Sequence, residues 1–178
     1  NGHRGDDPSS PPRRPCDRTG EAIAADGGAF PLWRAKTAKA RSELLYRWYQ
    51  LIIEHKSWLA KLMTIEQGKP LKEAEGEVDY AASFIQWFAE QGKRANGEII
   101  PPAKPGSRIL ATREPIGVVA AISPWTFPMA MLTRKLGPAL PAGAAGVIGR
   151  ASIRGRVQTS MVAVPLHQAT MFLRLPPT

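Results

Sequence analysis

Two rhythms divide this sequence, and no single kind of secondary structure satisfies both. From Thr37 onward, apolar residues return every three or four positions: Leu44, Leu45, Trp48, Leu51 and Ile52, with Arg41, Glu43, Arg47, Gln50 and Glu54 between them. That spacing predicts a helix with one apolar face. His55-Lys56-Ser57 breaks the rhythm, and a shorter helix bearing Leu59, Leu62, Met63 and Ile65 is expected to stop at Gly68, because glycine accepts the positive φ of a helix end. Pro70 suits the first turn of a third, long helix, where its missing N–H costs nothing. Val78, Ala81, Ala82, Ile85, Phe88 and Ala89 keep the period there, while Phe84 and Trp87 widen the stripe and are expected to lie under other elements. Three packed helices account for the chain up to about Gly92.

The second rhythm belongs to strands. Pro101, Pro102, Pro105 and Gly106 mark a loop, Arg108 to Arg113 alternates like a half-exposed strand, and Pro115-Ile116-Gly117 turns the chain. Val118-Val119-Ala120-Ala121-Ile122 is an unbroken apolar run, which suits a strand covered on both faces of a parallel sheet. Ser123 to Pro128 then lies at a strand's carboxyl end, the edge where open α/β sheets bind ligands. Met129 to Leu140 reads as the following helix, opened by Pro128 and interrupted by Gly137-Pro138, and Ala144 to Ile148 reads as the next strand. The fold class expected is α/β: an amino-terminal helical layer leading into part of a Rossmann-like parallel sheet, an incomplete domain.

Composition narrows the function classes. The 178 residues suffice for one domain, no apolar run approaches the roughly 20 residues of a membrane span, and Asn1 to Asp7 has no apolar segment of a signal peptide. A cytoplasmic, soluble protein without a membrane partner is expected. The net charge of +9 would ordinarily suggest nucleic acid, yet six of the cations (Arg134, Lys135, Arg150, Arg154, Arg156, Arg174) follow Glu114, the last acid. They form no basic stripe interleaved with aromatics, so no nucleic-acid partner is expected. The sole cysteine, Cys16, excludes an internal disulfide framework and a cysteine metal cluster. Residues 1–18, rich in Pro, Gly, Ser and Arg, read as a disordered or aberrant tail; residues 147–178 lack a sustained period and read as a second one. Residues 19–146 remain as the folded part.

Few residues are equipped for chemistry. His3, His55 and His167 show no ligand spacing and read as solvated or packing residues. Cys16 has Arg13, Arg14 and Arg18 nearby, which favour a thiolate, but its tail supplies no fixed base or oxyanion donors. Glu66, Glu73, Glu75 and Glu77 read as carboxylates on an exposed helix surface. Arg134-Lys135 reads first as a solvated helix face and second as an anion site, where a guanidinium fork would match a carboxylate or phosphate. Trp125 and Phe127 read equally as core and as pocket wall.

Four stretches, taken together and in order, carry a resemblance: Ile65-Glu66-Gln67-Gly68-Lys69-Pro70-Leu71, Tyr80 to Glu90, Arg113-Glu114-Pro115-Ile116-Gly117-Val118, and Ile122 to Pro128 with Met131-Leu132-Thr133-Arg134-Lys135. From about Thr19 to Gly143 the chain resembles the amino-terminal half of aldehyde dehydrogenases of the succinate-semialdehyde type. The resemblance implies oxidation of a small-molecule semialdehyde by NAD or NADP through a cysteine thiohemiacetal and a glutamate base. It places Ile122, Ser123, Pro124 and Trp125 along the nicotinamide side of the cofactor cleft, and Arg134 against the distal carboxylate of the substrate with Lys135 as its helix neighbour. Gly117 and Gly143 fall at turns of two βα units.

Thr126 departs from that pattern, standing where the family carries an asparagine whose amide helps form the oxyanion hole. Its hydroxyl is shorter and offers one donor, and loss of one such donor costs on the order of 2.7–4 kcal/mol of transition-state stabilisation. Gly149 and Arg150 stand where the family continues into a Lys-Pro pair whose lysine contacts the adenosine ribose. The nucleophilic cysteine and base glutamate lie further along in the family, and Cys16 is in the wrong place to substitute. A truncated or frame-shifted product is expected, inactive by itself. A non-catalytic module that self-associates through an open sheet edge is the competing expectation.

Overall fold

The computed structural model describes residues 16–150 and the pair 162–163. Helix α1 (Cys16–Arg34) comes first, then α2 (Ala38–Glu54), α3 (Lys56–Gln67) and α4 (Leu71–Gln91), which a single 3-10 turn at Gly92–Arg94 closes. Strands β1 (Glu98–Ile100) and β2 (Ile109–Ala111) follow, then β3 (Val118–Ser123), α5 (Ala130–Ala139), β4 (Ala145–Arg150) and β5 (Val162–Ala163).

The three helices expected from the periodicity are present, with the break expected at His55 and the stop expected at Gly68. Thr37 caps α2, its Oγ1 accepting from Ala40 N at 3.2 Å. His55 ends α2 and begins α3, and Gly68 ends α3 at φ 82°. Pro70 stands one place earlier than expected, as the N-cap of α4, with Ala74 N bonding to its carbonyl. A fourth helix, α1, precedes them, so the boundary placed after residue 18 falls inside a helix that starts at Cys16. Its sequence, with Gly20, Gly27, Gly28 and an internal Pro31, shows no apolar stripe; tertiary contacts hold it instead. Trp33 is 3% exposed, and its Nε1 donates to Leu140 O at 2.9 Å.

Helices α2, α3 and α4 pack around Leu45, Ile52, Ala60, Val78, Ala82 and Ile85, and α4 lies across α5. Gly137 permits that close crossing, since a Cβ there would meet Phe88 Cδ2 at 3.0 Å. Helix α5 also continues through Gly137-Pro138 instead of being interrupted. Pro138 removes one helical N–H, but the ladder resumes after it, with Leu140 N reaching Leu136 O at 3.0 Å. Trp87 is 61% exposed, against the expectation that other elements cover it. It projects from the face of α4 opposite the buried Ala74, Ala81 and Ile85 row.

Strands β3 and β4 pair in parallel, with Val118 opposite Ala145 and Ser123 opposite Arg150. The α/β class expected from the sequence is thus present. Burial on β3 alternates, however: Ala121 and Ser123 are buried, while Val118 and Ile122 are 37% and 39% exposed. Among the described residues only one face of β3 is covered. It is β4, buried from Ala145 through Val147, that matches the doubly covered strand. The stretch Arg108 to Arg113 yields β2, whose antiparallel partner β1 the sequence reading did not anticipate, and all residues of both strands are exposed.

Candidate active site

The carboxyl end of β3 opens into the segment Ser123–Pro128, which leads directly into α5. Side chains from the end of α3 and from the turn between α3 and α4 hold this segment through its backbone. Gln67 Nε2 donates to the carbonyls of Trp125 and Thr126, both at 3.1 Å, and Lys69 Nζ donates to Thr126 O at 3.2 Å. The Lys69 ammonium also lies 4.1 Å from the centre of the Phe127 ring, a cation–π contact.

Glu77, expected on an exposed surface with Glu66, Glu73 and Glu75, is buried inside this construction. Its side chain is 1% exposed, and it pairs with Lys69, itself 9% exposed. Its Oε1 accepts from Met129 N at 3.0 Å and Ala130 N at 3.2 Å, the free amides at the start of α5. Glu66 and Glu73 remain exposed as expected, and Glu75 is half-buried. The sequence did carry a signal for Glu77: it sits next to Val78 and one turn after Ala74, on the packed side of α4.

Arg134 and Lys135 diverge from α5 and do not form one anion site. The Arg134 guanidinium lies over the rings of Tyr80 and Phe84, at 5.7 and 5.0 Å, and its Nη2 donates to the Tyr80 hydroxyl. Tyr80 and Phe84 meet edge to face at 4.8 Å, so Arg134 is seated on a preformed aromatic pair while remaining exposed. Lys135 turns the other way, donating to Ile122 O at the end of β3 and lying 3.4 Å from Ser123 Oγ. Tyr80 was missed as a site residue because its neighbour Arg134 lies 54 positions away in sequence.

Of the four residues assigned to the cofactor side, Ser123 is buried, its Oγ reaching Met131 O at 3.4 Å. Ile122 is exposed, and Pro124 and Trp125 are half-buried. Ile122 and Ser123 therefore fall on opposite faces of β3. The four residues do not fit the phosphates of a dinucleotide: the helix start where a βα unit can receive a pyrophosphate is filled by the Glu77 carboxylate. Thr126 is exposed in the same segment, with its carbonyl, not its hydroxyl, fixed by Gln67 and Lys69. Gly117 and Gly143 stand at the turns into β3 and β4 with φ of 114° and 88°. No group of three or more His, Cys, Asp or Glu side chains able to hold a metal occurs among the described residues, and no helix there is long and apolar enough to cross a membrane.

A parallel βα unit with an anchored loop at its carboxyl edge defines the class of an α/β protein. Comparison with known proteins gives the family: residues 12–177 match the aldehyde dehydrogenase family, to which the chain therefore belongs. That span extends on both sides of Thr19 to Gly143. The chain is 49% identical over 172 residues to "Succinate-semialdehyde dehydrogenase [NADP(+)] GabD" of Escherichia coli K12, covering 97% of this chain and 35% of that protein. It is 55% identical over 141 residues to glutarate-semialdehyde dehydrogenase of Pseudomonas putida KT2440, covering 79% and 29%. A crystal structure described as an E. coli NADP dependent enzyme superposes with a TM-score of 0.79 at 48% identity, over 97% of this chain and 35% of that one. The chain thus spans about a third of the length of the relatives it matches.

Proposed function

We propose that this chain contributes the substrate-anion and nicotinamide-side walls of a dehydrogenase for a semialdehyde bearing a distal carboxylate. Arg134 carries the reading. It is a cation held in place by Tyr80 and Phe84, exposed, and close in sequence to the end of β3 where ligands bind. A guanidinium fixed in this way can receive a carboxylate with little loss of side-chain freedom. Two relatives named for succinate and glutarate semialdehydes, both carboxylate-bearing, support the same chemistry.

Ile122, Ser123, Pro124 and Trp125 would line the ring side of NADP or NAD, which when bound supplies the hydride acceptor. Thr126 occupies the oxyanion position with a hydroxyl donor only. The chain's single cysteine, Cys16, begins α1, and the 178 residues alone are expected to be inactive. A turnover assay with succinate semialdehyde and NADP or NAD tests this, and robust formation of reduced cofactor by this chain would overturn it. In a full-length relative carrying the segment, Arg134→Ala is expected to raise KM for succinate semialdehyde by about 10- to 150-fold, equivalent to about 1.5–3 kcal/mol of lost charged hydrogen bonding, with little effect on an uncharged aldehyde. Equal effects on both substrates would refute the role.

A second reading rests on the exposed apolar residues Ile99, Leu110, Val118 and Ile122, which favour association of the chain with copies of itself or with a related chain.

A further inference from the structure

Ser123–Pro128 is held by groups that come from elsewhere in the chain, and one buried pair ties them together. Glu77 accepts the two free amides of α5 on Oε1 and pairs with Lys69 through Oε2. Lys69 in turn reaches Thr126 O at 3.2 Å and the Phe127 ring at 4.1 Å. One carboxylate thus connects the start of the helix that carries Arg134 to the segment that carries Thr126. We propose that Glu77, acting through Lys69, is the positioning residue of this site, setting the placement of Thr126 and Arg134 relative to each other.

The chemistry demands a charged acceptor. Backbone amides at a helix start carry partial positive charge, and Lys69 adds a full one; an anion between them satisfies both. A glutamine of the same shape could still accept from the amides, but its NH2 would face the Lys69 ammonium, donor against donor. A packing role alone predicts that Glu77→Gln is harmless. A positioning role through charge predicts that it releases Lys69 from Thr126 O and loosens the start of α5.

The consequence for catalysis rests on the reading of Arg134 given above, but the device itself can be tested without substrate. Residue-resolved amide hydrogen exchange is measured by NMR on the 178-residue chain. Glu77→Gln is expected to accelerate exchange at Met129 and Ala130 by about tenfold or more, while Leu45, Ile52 and Ile85 change by less than about twofold. Lys69→Met combined with Glu77→Gln removes both charges and is expected to bring Met129 and Ala130 back to within about threefold of the parent, because no donor then opposes the glutamine. Unchanged rates at Met129 and Ala130 in Glu77→Gln, or acceleration spread evenly over α2 and α4, would overturn the proposal, as would failure of both variants to fold. Titration of the same samples with succinate reads the Arg134 side-chain resonances. A parent chain that gives no response there refutes the carboxylate reading, while the exchange rates still decide the role of Glu77.

Discussion

Asp26 is the residue whose environment conflicts most openly with its chemistry. It is 1% exposed, neither carboxylate oxygen has a hydrogen-bond partner, and burial raises its pKa from 3.8 to about 6. Because the folded chain holds this proton up to about pH 6 and the unfolded chain releases it near 3.8, stability falls as pH rises through that window and is level above it. Asp26→Asn removes the titration. Relative to the variant, the parent is expected to lose about 2–3 kcal/mol between pH 4 and pH 7, read from urea unfolding at each pH. Parallel pH profiles for the two chains would rule this out. At Thr126 the expectation concerns activity. In a full-length relative carrying this segment, Thr126→Asn supplies an amide donor and should raise kcat by about 10²–10³ with little change in KM. A change confined to KM would show that Thr126 is not at the oxyanion position.

Among the elements, the β3-α5-β4 unit depends on its turns. Gly143 adopts φ 88°, and a Cβ there would approach Pro115 Cγ to 2.7 Å. Both the conformation and the contact oppose a side chain, so Gly143→Ala should destabilise the chain by about 1–3 kcal/mol, measured as a shift in the urea midpoint at unchanged slope. An unchanged midpoint would mean that the turn relaxes freely. Much at this scale was legible in sequence. The stop at Gly68, the periods of α2 to α4, and the apolar runs of β3 and β4 are local signals, and the structure reproduces them. Helix α1 was not legible, because its glycines and Pro31 give weak local preference and its order comes from contacts such as Trp33 with Leu140. Strand β1 was missed for a related reason: a three-residue strand is defined by its pairing with β2, not by a pattern of its own.

For the whole molecule, the balance of covered and open surface sets behaviour. Ile99 at 84% exposure, Leu110 at 67%, and the open face of β3 with Val118 and Ile122 leave large apolar side chains in water. Concentration-dependent association is expected, visible as a rising apparent mass in light scattering after size exclusion. A monomer of constant mass from micromolar to hundreds of micromolar would contradict it. Hydrophobic period and glycine placement determined α2 to α4 and the strand that ends at Ser123, and the residue identities of four short stretches carried the family resemblance, since all of these depend on neighbours a few residues apart. Tertiary structure decided the site. It buried Glu77 under α5, turned Lys135 away from Arg134, and seated Arg134 on Tyr80. Each of those placements joins residues 13 to 54 positions apart, where the outcome depends on which partners the folded chain brings to each charged group.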